Sequence, residues 1–221
     1  MKLIFREKFI TLLVVFLVAL TSTATIVWAK QSKLATAKQY DIQEGDIVFQ
    51  ESDGGQGKAI KAATNSRWTH VGIVYFKDGK PMVLEAVQPV QVVPLKTFIA
   101  RSPKSFYAMR VKNLADKTTR SKLARARLYA EQQVGKNYDF RFQWSDSRIY
   151  CSELVWKIYN TAGVKLCEPR KFSSYNLKHP TVQRIIKQRY GSMQNLPLNE
   201  LAVAPSDLAQ SALLEEVPRK K

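Results

Sequence analysis

The chain has 221 residues, 45% hydrophobic and 24% charged. That composition suits one packed domain with a short appendage and excludes wholesale disorder. The net charge of +17 favours a polyanion such as an anionic membrane surface, an acidic wall polymer or nucleic acid. No zinc-finger, RNA-recognition or helix-turn-helix signature accompanies the charge, so a nucleic-acid partner is not expected.

Lys2, Arg6 and Lys8 precede an uncharged run over residues 9–29. A basic flank before an apolar run is the pattern of a secretory signal, and the run is also long enough to cross a bilayer. Residues 1–29 are therefore expected to be a signal peptide or an amino-terminal membrane anchor. Either would export the remainder to the periplasm or cell envelope. Residues 30–42 read as a polar tether and 43–221 as the folded domain.

Residues 45–50 predict a short strand. Residues 51–57 read as a loop with Gly54, Gly55 and Gly57, too irregular for a phosphate-binding motif. A helix is expected over 58–65. Residues 69–76 are β-branched and aromatic, a strand that Lys77-Asp78-Gly79-Lys80 turns back as a hairpin onto 81–87. With Lys77 opposite Lys80, His70 falls opposite Val87 and Gly72 opposite Glu85. Opposite residues share a face, so His70 and Glu85 become diagonal neighbours on one face, within side-chain reach.

Residues 90–95 and 105–111 suggest a further strand pair, with a helical turn over 96–101. A basic helix is expected over 117–135, with Leu123, Ala126, Ala130 and Val134 on its apolar side and Arg120, Lys122, Arg125 and Arg127 on a solvated face. An aromatic loop over 140–150 leads into Tyr150-Cys151-Ser152-Glu153-Leu154-Val155-Trp156. Leu154, Val155, Ile158, Tyr159 and Ala162 recur there with helical spacing, and Gly163 supplies the stop. A third helix spans 179–190, and 203–208 reads as a final strand edge and turn.

Cys151 stands at a helix start and points to the buried side. Unpaired N–H groups and the helix dipole favour an anion there, which lowers a thiol pKa. On this segment alone, a small buried hydrophobe is the favoured reading, and the rest of the chain changes the balance. A disulfide to Cys167 is not expected, because the helix carries the two cysteines apart. His179, before Pro180 at a helix entrance, reads as a cap. His70 with Glu85 beside it completes a nucleophile, an imidazole base and an orienting carboxylate. The thiolate would attack a carbonyl carbon, the imidazolium would protonate the leaving amine, and the Cys151 N–H would help hold the oxyanion. Two thiols and two histidines at these spacings match no zinc pattern, so neither metal nor cofactor is expected.

Five motifs occur in one order: residues 45–50, Thr69-His70-Val71-Gly72, Leu84-Glu85-Ala86-Val87, residues 135–140 and residues 150–156. In this set the chain resembles the YiiX-like group of the NlpC-type cysteine peptidase superfamily, over about residues 43–215. The resemblance implies an α+β, circularly permuted papain-like fold, an antiparallel sheet packed against helices, in which the histidine precedes the cysteine. It implies Cys151 as nucleophile, His70 as general base and acid, and Glu85 as the residue that orients His70. Asn137 stands where the group commonly has proline. The superfamily is similar to enzymes that cut amide bonds in cell-wall peptides near γ-D-glutamyl and diaminopimelate residues, while related permuted members act on lipid acyl groups. A cysteine hydrolase of peptidoglycan peptides is thus expected, with a lipid acyl hydrolase or acyltransferase and a non-catalytic envelope binding module as alternatives. Trp68, Tyr138 and Tyr150, near the motif residues, are the expected substrate contacts, with Trp144 a further aromatic beside the cleft.

Overall fold

The computed structural model describes residues 40–102, 104–113 and 117–220. The expected export segment at 1–29 lies outside the described residues, as does the tether up to residue 39. The strands are β1 (Ile47–Gln50), β2 (His70–Lys77), β3 (Lys80–Glu85), β4 (Gln91–Pro94), β5 (Tyr107–Val111), β6 (Arg170–Lys171), β7 (Leu201–Ala202) and β8 (Leu214–Glu216). The helices are α1 (Gly55–Thr64), α2 (Leu95–Arg101), α3 (Lys117–Glu131), α4 (Cys151–Thr161), α5 (Pro180–Tyr190) and α6 (Pro205–Ala209).

Six strands make one antiparallel sheet in the order β4-β3-β2-β1-β5-β8, and β6 pairs with β7 apart from it. The α+β class and the antiparallel sheet are as expected. Alternate residues of the central strands feed two core layers. Ile47, Phe49, Val71 and Ile73 pack with Leu154, Val155 and Ile158 of α4 and Ala126 and Ala130 of α3. Val48, Val74 and Val83 pack on the other face with Phe98 and Ile99 of α2. Helices therefore cover both faces, which is why β1 is buried without alternation. Each fully buried Leu or Ile contributes about 1.5–3 kcal/mol relative to exposure, as an upper estimate.

The hairpin register is the expected one: Lys77 pairs with Lys80, Phe76 with Pro81 and Ile73 with Leu84. Asp78 and Gly79 both take positive φ, +51° and +71°, as a primed hairpin turn requires. Asp46 is fully buried and takes two hydrogen bonds from Arg110, at 2.7 and 2.9 Å. The Gly-Asp motif is thus a structural clamp between β1 and β5.

Several expectations are corrected. The segments at 90–95 and 105–111 both form strands but do not pair with each other. β4 closes one edge on β3, while β5 lies between β1 and β8. Helix α1 starts at Gly55 and not at 58, because its first turn packs against the preceding loop. A Cβ on Gly57 would lie 2.1 Å from the Ser52 carbonyl oxygen, so glycines that look like loop residues permit that approach. Helix α3 ends at Glu131, leaving Val134 47% exposed. The segment at 203–208 forms α6, not a strand edge, and β8 follows it unanticipated. Tyr40, assigned to the tether, is buried, bridges to Arg219 and stacks under its guanidinium at 3.6 Å.

Candidate active site

Helix α4 places Cys151 at its first residue, after Tyr150 in an extended conformation. Glu153 Oε2 accepts from the Tyr150 N–H at 3.3 Å, and Glu153 Oε1 meets Lys157 Nζ at 2.8 Å. A carboxylate in the first turn is favourable to the helix dipole. The Cys151 thiol is buried among the α4 core residues and accepts hydrogen bonds from the Val71 and Ser152 N–H groups. Both cysteines are free.

His70 opens β2 and stacks on Phe98 of the opposite core layer at 5.8 Å between centroids. Its Nε2 lies 2.6 Å from Glu85 Oε2, and its ring also shares a hydrogen bond with the Cys151 thiol. The thiol comes from one side of the sheet and the carboxylate from the end of β3, and the imidazole joins them. Gly72 makes this closure possible. A Cβ there would fall 2.5 Å from Val83 Cγ1 and 3.0 Å from the Leu84 oxygen, so any side chain would push β3, and Glu85 with it, away from His70.

Glu85 is fully buried and fully partnered. Arg101 Nη2 donates to both of its oxygens at 2.7 Å, and Gln91 Nε2 donates to Oε1 at 3.0 Å. Burial alone would raise the Glu85 pKa, but the bonds from His70, Arg101 and Gln91 outweigh it and bring it to about 2. For His70, burial disfavours the charge, yet the bonds to Cys151 and Glu85 win and raise its pKa to about 9. Burial likewise opposes a Cys151 thiolate, and His70 with two backbone N–H groups overcomes it, lowering the thiol pKa. The set therefore favours a thiolate–imidazolium pair near neutral pH.

Tyr138 touches the same thiol. Its burial holds its pKa well above the ordinary value, so it stays a neutral hydroxyl. That hydroxyl accepts from Gln56 Nε2 at 2.9 Å and is hydrogen-bonded to Cys151. The Tyr138 N–H donates to Gln88 Oε1 at 2.7 Å, and Gln88 Nε2 donates to Asn137 Oδ1 at 2.7 Å. Gln88 thus ties the turn carrying Tyr138 to the loop after Glu85.

Beside Cys151 lies a cavity of about 130 Å³, walled by side chains of α1, α5 and the 140–150 loop. Its lining is apolar, with Ile60, Phe142, Phe172, Ile186 and Leu196 among the walls. Tyr150 contributes its ring to this wall, while its hydroxyl accepts from the Val203 N–H at 3.1 Å. Trp68 is elsewhere: its ring stacks on Tyr107 at 5.3 Å and does not line the cavity. Trp144 packs against Trp156 at 5.1 Å. His179 caps α5, its Nδ1 accepting from the Thr181 N–H at 3.2 Å. Sequence reasoning missed Arg101, Gln91, Gln56 and Arg189. Their partners are distant in the chain and follow no local spacing, and Arg101 showed only as the end of a helical turn.

Comparison with known proteins now decides the class. Residues 41–217 match the family described as "Permuted papain-like amidase enzyme, YaeF/YiiX, C92 family". The chain belongs to this family. Membership makes this chain a cysteine hydrolase of the amidase type. It is 41% identical over 180 residues to "Uncharacterized protein YiiX" of Escherichia coli (strain K12), covering 80% of this chain and 87% of that one. A crystal structure described as "metalloprotein yiiX from Escherichia coli O157:H7, DUF1105" superposes with a TM-score of 0.74. It is 40% identical and covers 82% of this chain and 99% of that chain. Among the described residues of this amidase no three His, Cys, Asp or Glu side chains converge as metal ligands.

Proposed function

We propose that this chain is an exported thiol amidase working by a Cys151–His70–Glu85 acyl-enzyme mechanism in the cell envelope. The observation that carries the reading is the His70 imidazole, hydrogen-bonded at once to the thiol and, at 2.6 Å, to Glu85. Thiolate Sγ attacks the amide carbonyl carbon. The oxyanion is held by the Cys151 N–H at the helix start and by the Tyr138 hydroxyl. The His70 imidazolium gives its proton to the leaving nitrogen as the C–N bond breaks, leaving a thioester. His70 then takes a proton from water, which attacks the thioester, and the acid leaves with the thiol restored.

The resemblance points to amide bonds of peptidoglycan peptides as the substrate. The cavity favours a second reading. Its walls beside Cys151 are apolar, which suits an alkyl or acyl group better than a polar wall peptide. A cavity of about 150 Å³ is enough for benzene, so this one takes a chain of about six carbons. Export is supported by the basic flank and uncharged run of residues 1–29, and the charge of +17 would hold the enzyme near anionic wall or lipid.

The test is the pH dependence of Cys151 alkylation, with Cys167→Ser throughout, in otherwise wild-type protein and in His70→Ala. Reactivity well below pH 8.5 that disappears with His70 is the expected result. A thiol that titrates near its ordinary value and ignores His70 would leave a non-catalytic binding module as the better account.

A further inference from the structure

Inside the wall of the apolar cavity is a half-buried charge without an ion-pair partner. Arg189, in the last turn of α5, sits over the rings of Phe142 and Phe140, 5.0 and 5.8 Å from their centroids. Its Nη2 donates to Gln56 Oε1 at 2.6 Å. Its Nη1 is buried and has no hydrogen-bond partner. Among the described residues no carboxylate forms an ion pair with it. The other arginine of the lining, Arg141, is exposed.

A guanidinium stays charged at neutral pH, and a charge drawn partly out of water with no ion-pair partner is unfavourable. The aromatic contacts and the position at a helix carboxyl end account for a cation at this place. They leave unexplained a buried N–H donor with nothing to receive it, since such groups are almost always satisfied. Gln56 links this donor to the reaction centre. Its carbonyl oxygen holds Arg189, and its amide nitrogen donates at 2.9 Å to the Tyr138 hydroxyl that touches Cys151.

We propose that Arg189 receives an oxyanion, a carboxylate or phosphate, that the substrate carries next to the apolar group filling the cavity. The substrate is then an anionic amphiphile. An N-acyl amino acid would supply the carboxylate, and an acyl chain beside a phosphate headgroup would supply the phosphate. The proposal rests on the cavity being the acyl side of the amidase site.

The test is calorimetric binding to the full chain carrying Cys151→Ser, with and without Arg189→Met. Three probes share one chain length: N-hexanoylglycine, hexyl phosphate and the neutral N-hexanoylglycinamide. At least one anion is expected to bind about tenfold to a hundredfold more tightly than the neutral probe, and which one does names the source. In Arg189→Met that preference collapses to about onefold while the neutral probe binds as before. Equal affinity for anionic and neutral probes, no binding of any probe, or a preference that survives in Arg189→Met overturns the proposal. If the methionine variant does not fold, Arg189→Gln carries the same outcomes. Because binding here involves no turnover, its failure is separate from failure of the amidase mechanism, which is read from Cys151 alkylation.

Discussion

His70 is hydrogen-bonded both to the thiol and, through Nε2, to Glu85, so the titrating unit is the set and not a single residue. kcat/KM should follow a bell-shaped pH profile. Its acid limb lies below the ordinary thiol value of 9.0, where the thiolate is protonated, and its alkaline limb near 9, where the imidazolium loses its proton. In Glu85→Gln the imidazolium loses its carboxylate, so the alkaline limb should move to lower pH and kcat should fall by about 10²–10⁴-fold. A profile and rate unchanged in that variant would remove Glu85 from the mechanism. Cys167 behaves oppositely to Cys151. Burial, reinforced by Asp207 and Glu168, pushes its thiol up to about 12, so alkylating reagents should label one cysteine at neutral pH.

At the scale of elements, the β2–β3 hairpin is the part that aligns the site. Its register follows from a two-residue turn and from alternation. The diagonal relation of His70 and Glu85 was therefore legible in the sequence and is observed as a 2.6 Å bond. At Gly72 the neighbouring strand leaves no room for a Cβ. Gly72→Ala must displace Val83 and the Leu84 carbonyl, and overpacking of this kind costs about 1–3 kcal/mol. Urea unfolding should show that loss, and activity should fall further than stability explains, because Glu85 moves with β3. Retention of full activity would show that Gly72 does not set the His70–Glu85 geometry. Helix α4 was equally legible, since its apolar spacing runs unbroken from Cys151 to the glycine stop. The order of strands was not. Residues 90–95 and 105–111 read as partners because they are neighbours in the chain, yet β5 pairs with β1 and β8, and no local pattern encodes such long-range pairing.

At the scale of the whole molecule, burial of α4 against the sheet places Glu153 out of solvent. Burial raises its pKa from an ordinary 4.5 to about 7 despite the Lys157 ion pair. A folded pKa above the unfolded one contributes stability that is complete below pH 4.5 and lost as pH rises through about 7. Between pH 4 and pH 8, wild type should therefore lose stability relative to Glu153→Gln, by on the order of 2–3 kcal/mol. Parallel stability curves for the two proteins would refute this account of Glu153. The same global packing creates the cavity, since α1, α5 and the 140–150 loop meet around Cys151 only in the folded chain.

The sequence by itself determined the local periods, the hairpin register, the cysteine at a helix start and the five motifs that carry the family resemblance. Each depends on residues within one turn, one strand pair or one recognisable run. Only the tertiary structure decided the strand order, the clamp of Arg101 and Gln91 on Glu85, the removal of Trp68 from the cavity wall and the Arg189 Nη1 left without a partner within it. Those features arise from side chains far apart in sequence that meet when both faces of the sheet are covered, and what a buried N–H donor lacks becomes visible only once all of its neighbours are in place.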